Sequence, residues 1–352
     1  MSSGKRIVVV GAGAIGGYTG AHMARGGEDV TLIDAWPEHV EYIRRHGMQL
    51  SGVTAEETHS IKVPALHIGD VQQLTKERPV DIAFISVKSY DTEWATHLIR
   101  PYLAPDGYIV SLQNCINEER IAAIAGWGKV LGSIVSLLAA ELYAPGHIKR
   151  TMPIGGARHT VFRVGEVHGR ATPRAEEVAR VLAHADSSKV TSNLWGERWS
   201  KLVINSMRNG LSAATGLSGN ERDLNEGPRD VSIRLGGQAV RVGQALGFQL
   251  EKLQVMDAET LARAGEGSAD AKAEIVDQLL RLAKTRSEEQ RPSMAQDIFK
   301  GRRTETDFIN GFVAAKGEET GVPAPIHARM NELVKQVERG EIKPGVEHIA
   351  NL

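Results

Sequence analysis

Few turns constrain a fold as tightly as Gly11-Ala12-Gly13-Ala14-Ile15-Gly16, which ends a β-branched run (residues 7–10) and opens a helix-compatible stretch (residues 18–25). Gly11 permits a tight turn, Gly13 lets the backbone approach a pyrophosphate, and Gly16 allows helix and strand to pack closely. The helix N-terminus at Ala14 and Ile15 offers N–H groups and a partial positive charge to an anion. Strand, glycine turn and helix in this order make the dinucleotide-binding fingerprint. The expected fold class is therefore α/β, with an N-terminal Rossmann-type domain whose cofactor cradle is Gly11, Gly13, Ala14, Ile15 and Gly16.

A second strand (residues 29–33) ends in Asp34, about 20 residues past the glycines, where an acid accepts hydrogen bonds from a ribose 2′-hydroxyl. A carboxylate there repels a 2′-phosphate, and neither Arg nor Lys follows before Arg44. NAD(H) is favoured; NADP(H) stays open if a neighbouring loop supplies a cation. Further strands are expected at residues 81–87, with Lys88 at the end, at 108–112, followed by Gln113-Asn114-Cys115, and at 129–138. Ligands of open α/β sheets bind beyond the carboxyl ends of strands, an edge that Gly11, Asp34, Lys88 and Asn114 share. A helix over 37–46 and a hairpin around Ser51-Gly52 are expected, with residues 147–149 and 160–165 as antiparallel additions to the sheet.

From residue 194 the apolar spacing changes to threes and fours, the period of helices. The expected division is a dinucleotide-binding domain over 1–190 and an all-α substrate and catalytic domain over 191–352. Residues 257–290 read as exposed helices, 288–292 as a polar stretch closed by proline, and the tail after Gly340 as a surface wrap. Lys201, Asn205 and Asn209 recur every four residues, so they drift only ~40° per step and share one helix face over roughly 12 Å. Leu202, Val203, Ile204 and Met207 lie between them, so the face looks inward or into a cleft. A cation beside two amides suits a small polar ligand with a carbonyl to protonate.

Composition narrows the partners. A net charge of −1 over 352 residues provides no field for nucleic acid or anionic membrane. No apolar run reaches spanning length, and no basic leader precedes the first strand. The single cysteine, Cys115, excludes an intrachain disulfide and fits a reducing cytoplasm. The 12 histidines are scattered without ligand spacing, so no metal is expected; His97, His184 and His327 read as helix or loop residues.

Taken with Trp199-Ser-Lys201-Leu-Val-Ile-Asn205, and with Ser293-Met through Asp297 to Arg303-Thr-Glu305 and Asn310-Gly311, these features resemble the ketopantoate reductase family. That family comprises 2-dehydropantoate 2-reductases and related 2-hydroxyacid dehydrogenases, and the likeness runs from Arg6 to about Lys335. It implies a nucleotide-binding α/β domain, a helical domain and an active site in the cleft between them. By this resemblance Lys201 is the general acid and Glu305 stands near it. Asn205, Asn209 and Ser293 hold a small 2-keto or 2-hydroxy acid, while Asn114 and Lys88 line the nicotinamide region. Hydride addition to a keto group builds charge on oxygen, which a nearby ammonium stabilises and protonates.

The implied reaction is NAD(P)H-dependent reduction of a 2-keto acid, by default 2-dehydropantoate to (R)-pantoate. An NAD-linked 2-hydroxyacid dehydrogenase on another acid is the alternative. A non-catalytic dinucleotide sensor is the third reading, against which Lys201, Asn205, Ser293 and Glu305 speak together. The helical domain is where a homodimer would form. Four departures stand out: Cys115 replaces a glycine, Asp34 stands where a basic residue often serves NADPH, and Gly219 with Asn220 replaces a substrate-binding asparagine. Lastly, Arg208, one step off the polar row, could clamp a carboxylate.

Overall fold

Ile7-Val8-Val9-Val10 has no polar face to turn to water, and the strand it forms is buried throughout, as a strand covered on both faces must be. The structure, a computed structural model, describes residues 4–286 and 290–352 and divides into two units, residues 1–194 and 195–352.

The first unit alternates strands and helices. In order they are β1 (Arg6–Val10), α1 (Ala14–Arg25), β2 (Asp29–Asp34), α2 (Pro37–His46), β3 (Met48–Ser51), β4 (His59–Ile61) and β5 (Ala65–His67). There follow β6 (Val80–Ile85), α3 (Thr92–Ile99), β7 (Leu103–Ser111), α4 (Glu118–Ala125), β8 (Val130–Val135), β9 (Ala140–Ala144), β10 (His147–Arg150), β11 (Phe162–Glu166), α5 (Pro173–Leu182) and β12 (Ser188–Thr191). The main sheet runs β12-β11-β8-β7-β6-β1-β2-β5, parallel except where β11 meets β8. The chain reverses direction across the sheet between β1 and β6, which is where a parallel sheet opens a crevice at its carboxyl edge.

Two expectations need correction. Residues 147–149 do not extend the main sheet. They form β10 of a separate sheet, β4-β3-β10-β9, parallel to β3 and antiparallel to β9. β10 buries one side, that of Ile148 and Arg150, and Ile148 lies over α1, where a side chain at Gly17 would come within 2.7 Å of it. The other correction concerns the end of the first unit, at residue 194 rather than 190, because β12 still pairs with β11. Residues 160–165 do join beside β8 as β11.

A buried ion pair, Arg150 to Asp186 at 2.6 Å, ties the small sheet to the segment before β12. Asp186 also accepts the N–H groups of Gly155, Gly156 and Ser187. Those bonds give the carboxylate the partners that a charge out of water requires.

The second unit is helical: α6 (Leu194–Thr215), α7 (Gly219–Leu224), α8 (Glu226–Ala245), α9 (Ala258–Gly265), α10 (Ala269–Thr285), α11 (Ser293–Phe299), α12 (Asn310–Thr320) and α13 (Pro325–Glu338). Trp199 of α6 is fully buried, and its Nε1–H donates to Ala239 O at 2.8 Å. A side chain at Gly243 would lie 2.2 Å from that indole, so α8 can approach only as glycine. Although read as exposed, α9 and α10 each bury an apolar stripe, Leu261 with Ala264 and Ile275 with Leu279. Of the polar stretch 288–292, residues 288 and 289 lie outside the described residues. The tail is pinned, with Gly345 N–H donating to Ala214 O at 3.1 Å and Ile349 buried.

His327 of α13 joins four helices without exposure to water. Its Nε2–H donates to Leu235 O (2.8 Å), its Nδ1 accepts from Asn310 Nδ2 (3.1 Å), and Asn310 also donates to Ser206 O (2.9 Å). Burial holds the imidazole pKa down at about 4. An unfolded chain takes up this proton near 6.5 and the folded one only near 4, so stability is lost as pH falls between those values. Urea unfolding at pH 7, 6 and 5 should lose about 0.7 kcal/mol from this group over the first pH unit and about 1.2 kcal/mol over the second, as the slope steepens below 6.5. His327→Gln should flatten that slope; an unchanged slope would exclude His327 as its source.

Candidate active site

The glycine turn is held open from both sides. Gly11 adopts φ +97°, and a side chain there would meet the Ser86 carbonyl carbon and Val87 N at 2.8 Å. At Gly16 a side chain would strike Gly11 O at 2.0 Å, which is how α1 comes to lie against the end of β1. Gly13 differs, since nothing lies within 4 Å of where its side chain would be, and no side chain caps α1 there. That leaves a clear approach to an uncapped helix N-terminus, with the buried Ser86 Oγ beside the turn lacking a partner. Such a cradle fits a dinucleotide pyrophosphate.

Asp34 braces the turn, its Oδ2 accepting from Ala12 N–H (2.8 Å) and its Oδ1 from Trp36 N–H (2.9 Å). Each oxygen keeps a lone pair for a ribose hydroxyl. Across the strand pair stands His67, whose Nε2 bonds Ala35 O at 3.1 Å. Arg44 is committed to Ala65 O and to Asp70 at 2.6 Å. His39 was not expected here: its Nε2–H donates to Ala12 O (2.9 Å) and its Nδ1 accepts from Gly146 N–H (2.8 Å). It locks the turn to the small sheet, and nothing in the local sequence marks it.

Lys88 and Asn114 follow the ends of β6 and β7. Gln113 Nε2 stitches those ends together through Val87 O (2.8 Å) and Thr92 Oγ1 (2.9 Å). Asn117 Nδ2 holds Asn114 O at 2.9 Å and Ser89 Oγ at 3.1 Å. Between them Cys115 is buried in the left-handed region, φ +66°. Glycine takes that conformation without strain and a cysteine does not.

On α6, Lys201, Ile204 and Asn205 are half-buried, while Leu202, Val203, Met207 and Asn209 are buried. One strip of an otherwise enclosed helix therefore stays open. Arg208 falls on the same face of the helix, because seven residues bring it to within ~20° of where it began. Its side chain is buried, and Nη1 donates to Gln254 Oε1 at 2.9 Å. Burial, reinforced by Arg222, pushes its pKa down to about 9.

Glu305 is buried, and the segment carrying it is fixed at both ends. Thr304 N–H and Oγ1 bond Glu338 Oε2 (2.7 and 2.6 Å), and Asn310 bonds Ser206 O on α6. A side chain at Gly210 would lie 2.5 Å from Asn310 Oδ1, so that glycine admits α12 to the helix that carries Lys201. Ser293 stands apart, exposed at the first position of α11. Asn220 is buried beside Arg286, with Nδ2 donating to Arg286 O at 3.3 Å. Among the described residues no group of His, Cys, Asp or Glu could hold a metal, and no helix is long and apolar enough to cross a membrane.

Comparison with known proteins identifies the family of both units. Residues 7–160 match the family described as Ketopantoate reductase PanE/ApbA, and residues 193–338 match its C-terminal counterpart. A 2-dehydropantoate 2-reductase of Archaeoglobus fulgidus is 29% identical over 337 residues, 96% of this chain and 99% of that protein. A PanE/ApbA family ketopantoate reductase from Ralstonia eutropha superposes with a TM-score of 0.77 at 27% identity, covering 97% of this chain and 99% of that one. D-mandelate dehydrogenase, in its ternary structure with NADH and anilino(oxo)acetate, reaches the same TM-score of 0.77 at 22% identity over 97% and 99%, a likeness of fold. With both of its units matched, this chain belongs to the ketopantoate reductase family.

Proposed function

We propose that the protein is a nicotinamide-dinucleotide-dependent 2-keto acid reductase that prefers NADH. The relatives' substrate, 2-dehydropantoate, is the first to consider, with (R)-pantoate as product. The observation that carries this reading is the half-open strip of α6, where one ammonium and one amide face outward from an apolar helix. Bound nicotinamide would supply the hydride for the keto carbon. Lys201 then donates a proton to the substrate oxygen as charge develops there, and Glu305 favours the charged amine. Asn205, Asn209 and Ser293 orient the acid, and Asn114 and Lys88 line the reacting end. The turn Gly11 to Gly16 holds the pyrophosphate on the N-terminus of α1, and Asp34 takes the ribose hydroxyl.

Two features favour a second reading, an NAD-linked 2-hydroxyacid dehydrogenase acting on another acid. Among the described residues Asp34 has no ion-pair partner, and Arg44 is held by Asp70. Cys115 adds bulk where a glycine would leave room. The proposal includes a cytoplasmic setting and a homodimer through the helical unit, where Leu224 and Phe299 are exposed.

Lys201→Ala should lower kcat by roughly 10²–10⁴-fold, the usual worth of a positioned acid, with NADH binding retained by fluorescence titration. Near-normal turnover would remove Lys201 from the mechanism. Asp34→Ser should raise the NADPH to NADH ratio of kcat/KM by about tenfold or more, since a like charge near the 2′-phosphate is relieved. It should also weaken NADH, because Ala12 N–H and Trp36 N–H lose their acceptor. A constant ratio would place cofactor choice in another loop.

A further inference from the structure

The peptide groups of the glycine turn are held one at a time. Gly11 N–H donates to Ile33 O (2.8 Å), Ala12 N–H donates to Asp34 Oδ2 (2.8 Å), and Gly13 O accepts from Gly17 N–H (2.7 Å) as α1 begins. The peptide between Ala12 and Gly13 is held from outside the turn, because Ala12 O accepts His39 Nε2–H at 2.9 Å. At its other end, Gly13 N–H donates to no group among the described residues. A trans peptide is planar, so its C=O and N–H point in opposite directions. Fixing Ala12 O on His39 therefore turns Gly13 N–H away from His39. Nothing lies within 4 Å of where a Gly13 side chain would be, which leaves that residue open to a ligand.

The imidazole has little freedom to do otherwise. His39 is fully buried, and Gly146 N–H donates to its Nδ1 at 2.8 Å, which leaves the ring proton on Nε2. Trp36 stacks on the ring, with centroids 5.6 Å apart and planes 14° from parallel. Trp36 N–H also donates to Asp34 Oδ1 (2.9 Å), so the two side chains that grip Ala12 are joined through the start of α2. A hydrogen bond received at the carbonyl also polarises a peptide and strengthens its N–H as a donor.

We propose that His39 is a positioning residue for the cofactor: through Ala12 O it aims Gly13 N–H at the dinucleotide pyrophosphate. This rests on the reading of the turn as a dinucleotide site. The bond to Ala12 O carries this role, and the bond from Gly146 N–H only orients the ring and ties it to the small sheet.

Two variants separate these bonds. His39→Asn puts an amide oxygen near the place of Nδ1, where it accepts from Gly146 N–H, and falls short of Ala12. His39→Gln puts an amide N–H near the place of Nε2, where it donates to Ala12 O. By fluorescence titration, His39→Asn should weaken NADH binding roughly tenfold or more, the worth of a hydrogen bond to a charged group. The loss should appear as a raised KM for NADH with kcat nearly unchanged, as for binding shared by ground and transition states. His39→Gln should bind NADH nearly as the wild type does, although each variant gives up one bond and both melting temperatures should fall alike. Equal weakening in the two variants, or unchanged NADH affinity in His39→Asn, overturns the assignment. A second readout needs no variant: the Gly13 amide proton should move downfield in the NMR spectrum when ADP-ribose binds. A Gly13 resonance that stays in place while ADP-ribose binds also overturns it. Failure of the wild-type protein to bind NADH or ADP-ribose would instead overturn the dinucleotide reading, and this assignment with it.

Discussion

The missing side chains at Gly11 and Gly16 set the geometry on which the first unit depends. β6 reaches β1 only because Gly11 leaves Ser86 and Val87 room, and α1 turns back over the sheet only because Gly16 clears the Gly11 carbonyl. From that contact follow the direction of α1, the docking of the small sheet over Gly17, and the position of Ala12 for Asp34 and His39. An alanine at Gly11 would be strained in backbone as well as space, since φ is positive there. The clear ground at Gly13 is the counterpart: the turn is tight where protein meets protein and open where a pyrophosphate would come.

In the second unit α6 plays the corresponding part. Its apolar side is sealed by Trp199 against α8, and its polar side is partly satisfied by other helices. Asn310 and His327 use up the carbonyls of Ser206 and Leu235, so α12 and α13 are held by hydrogen bonds made without water. What remains unsatisfied on this helix is concentrated at Arg208 and Ser212, while Lys201 and Asn205 keep partial access to solvent.

Much of this was legible before the fold was known. The β-branched run located β1 and the spacing of threes and fours located α6, and α2 lies where the helix over 37–46 was expected. The glycine turn and Asp34 marked the cradle because their chemistry is local. What could not be read depended on distant partners. β10 resembles any short edge strand, and its choice of β3 rests on Gly146, which is held by His39 from 107 residues away. The end of the first unit was misplaced because Ser-Lys-Val-Thr is too short and polar to stand out as β12. Arg208 reads as one step off the polar row when counted in fours, although a step of seven returns to the same face.

The most direct measurement is the initial rate of NADH and, separately, NADPH oxidation by the purified protein on 2-dehydropantoate. A ketopantoate reductase with Asp34 at its ribose site should turn over with kcat/KM of about 10⁴ M⁻¹s⁻¹ or more, and faster with NADH. Negligible rates with both cofactors, despite tight dinucleotide binding, would contradict 2-dehydropantoate as the substrate and leave the family's chemistry directed at a different acid.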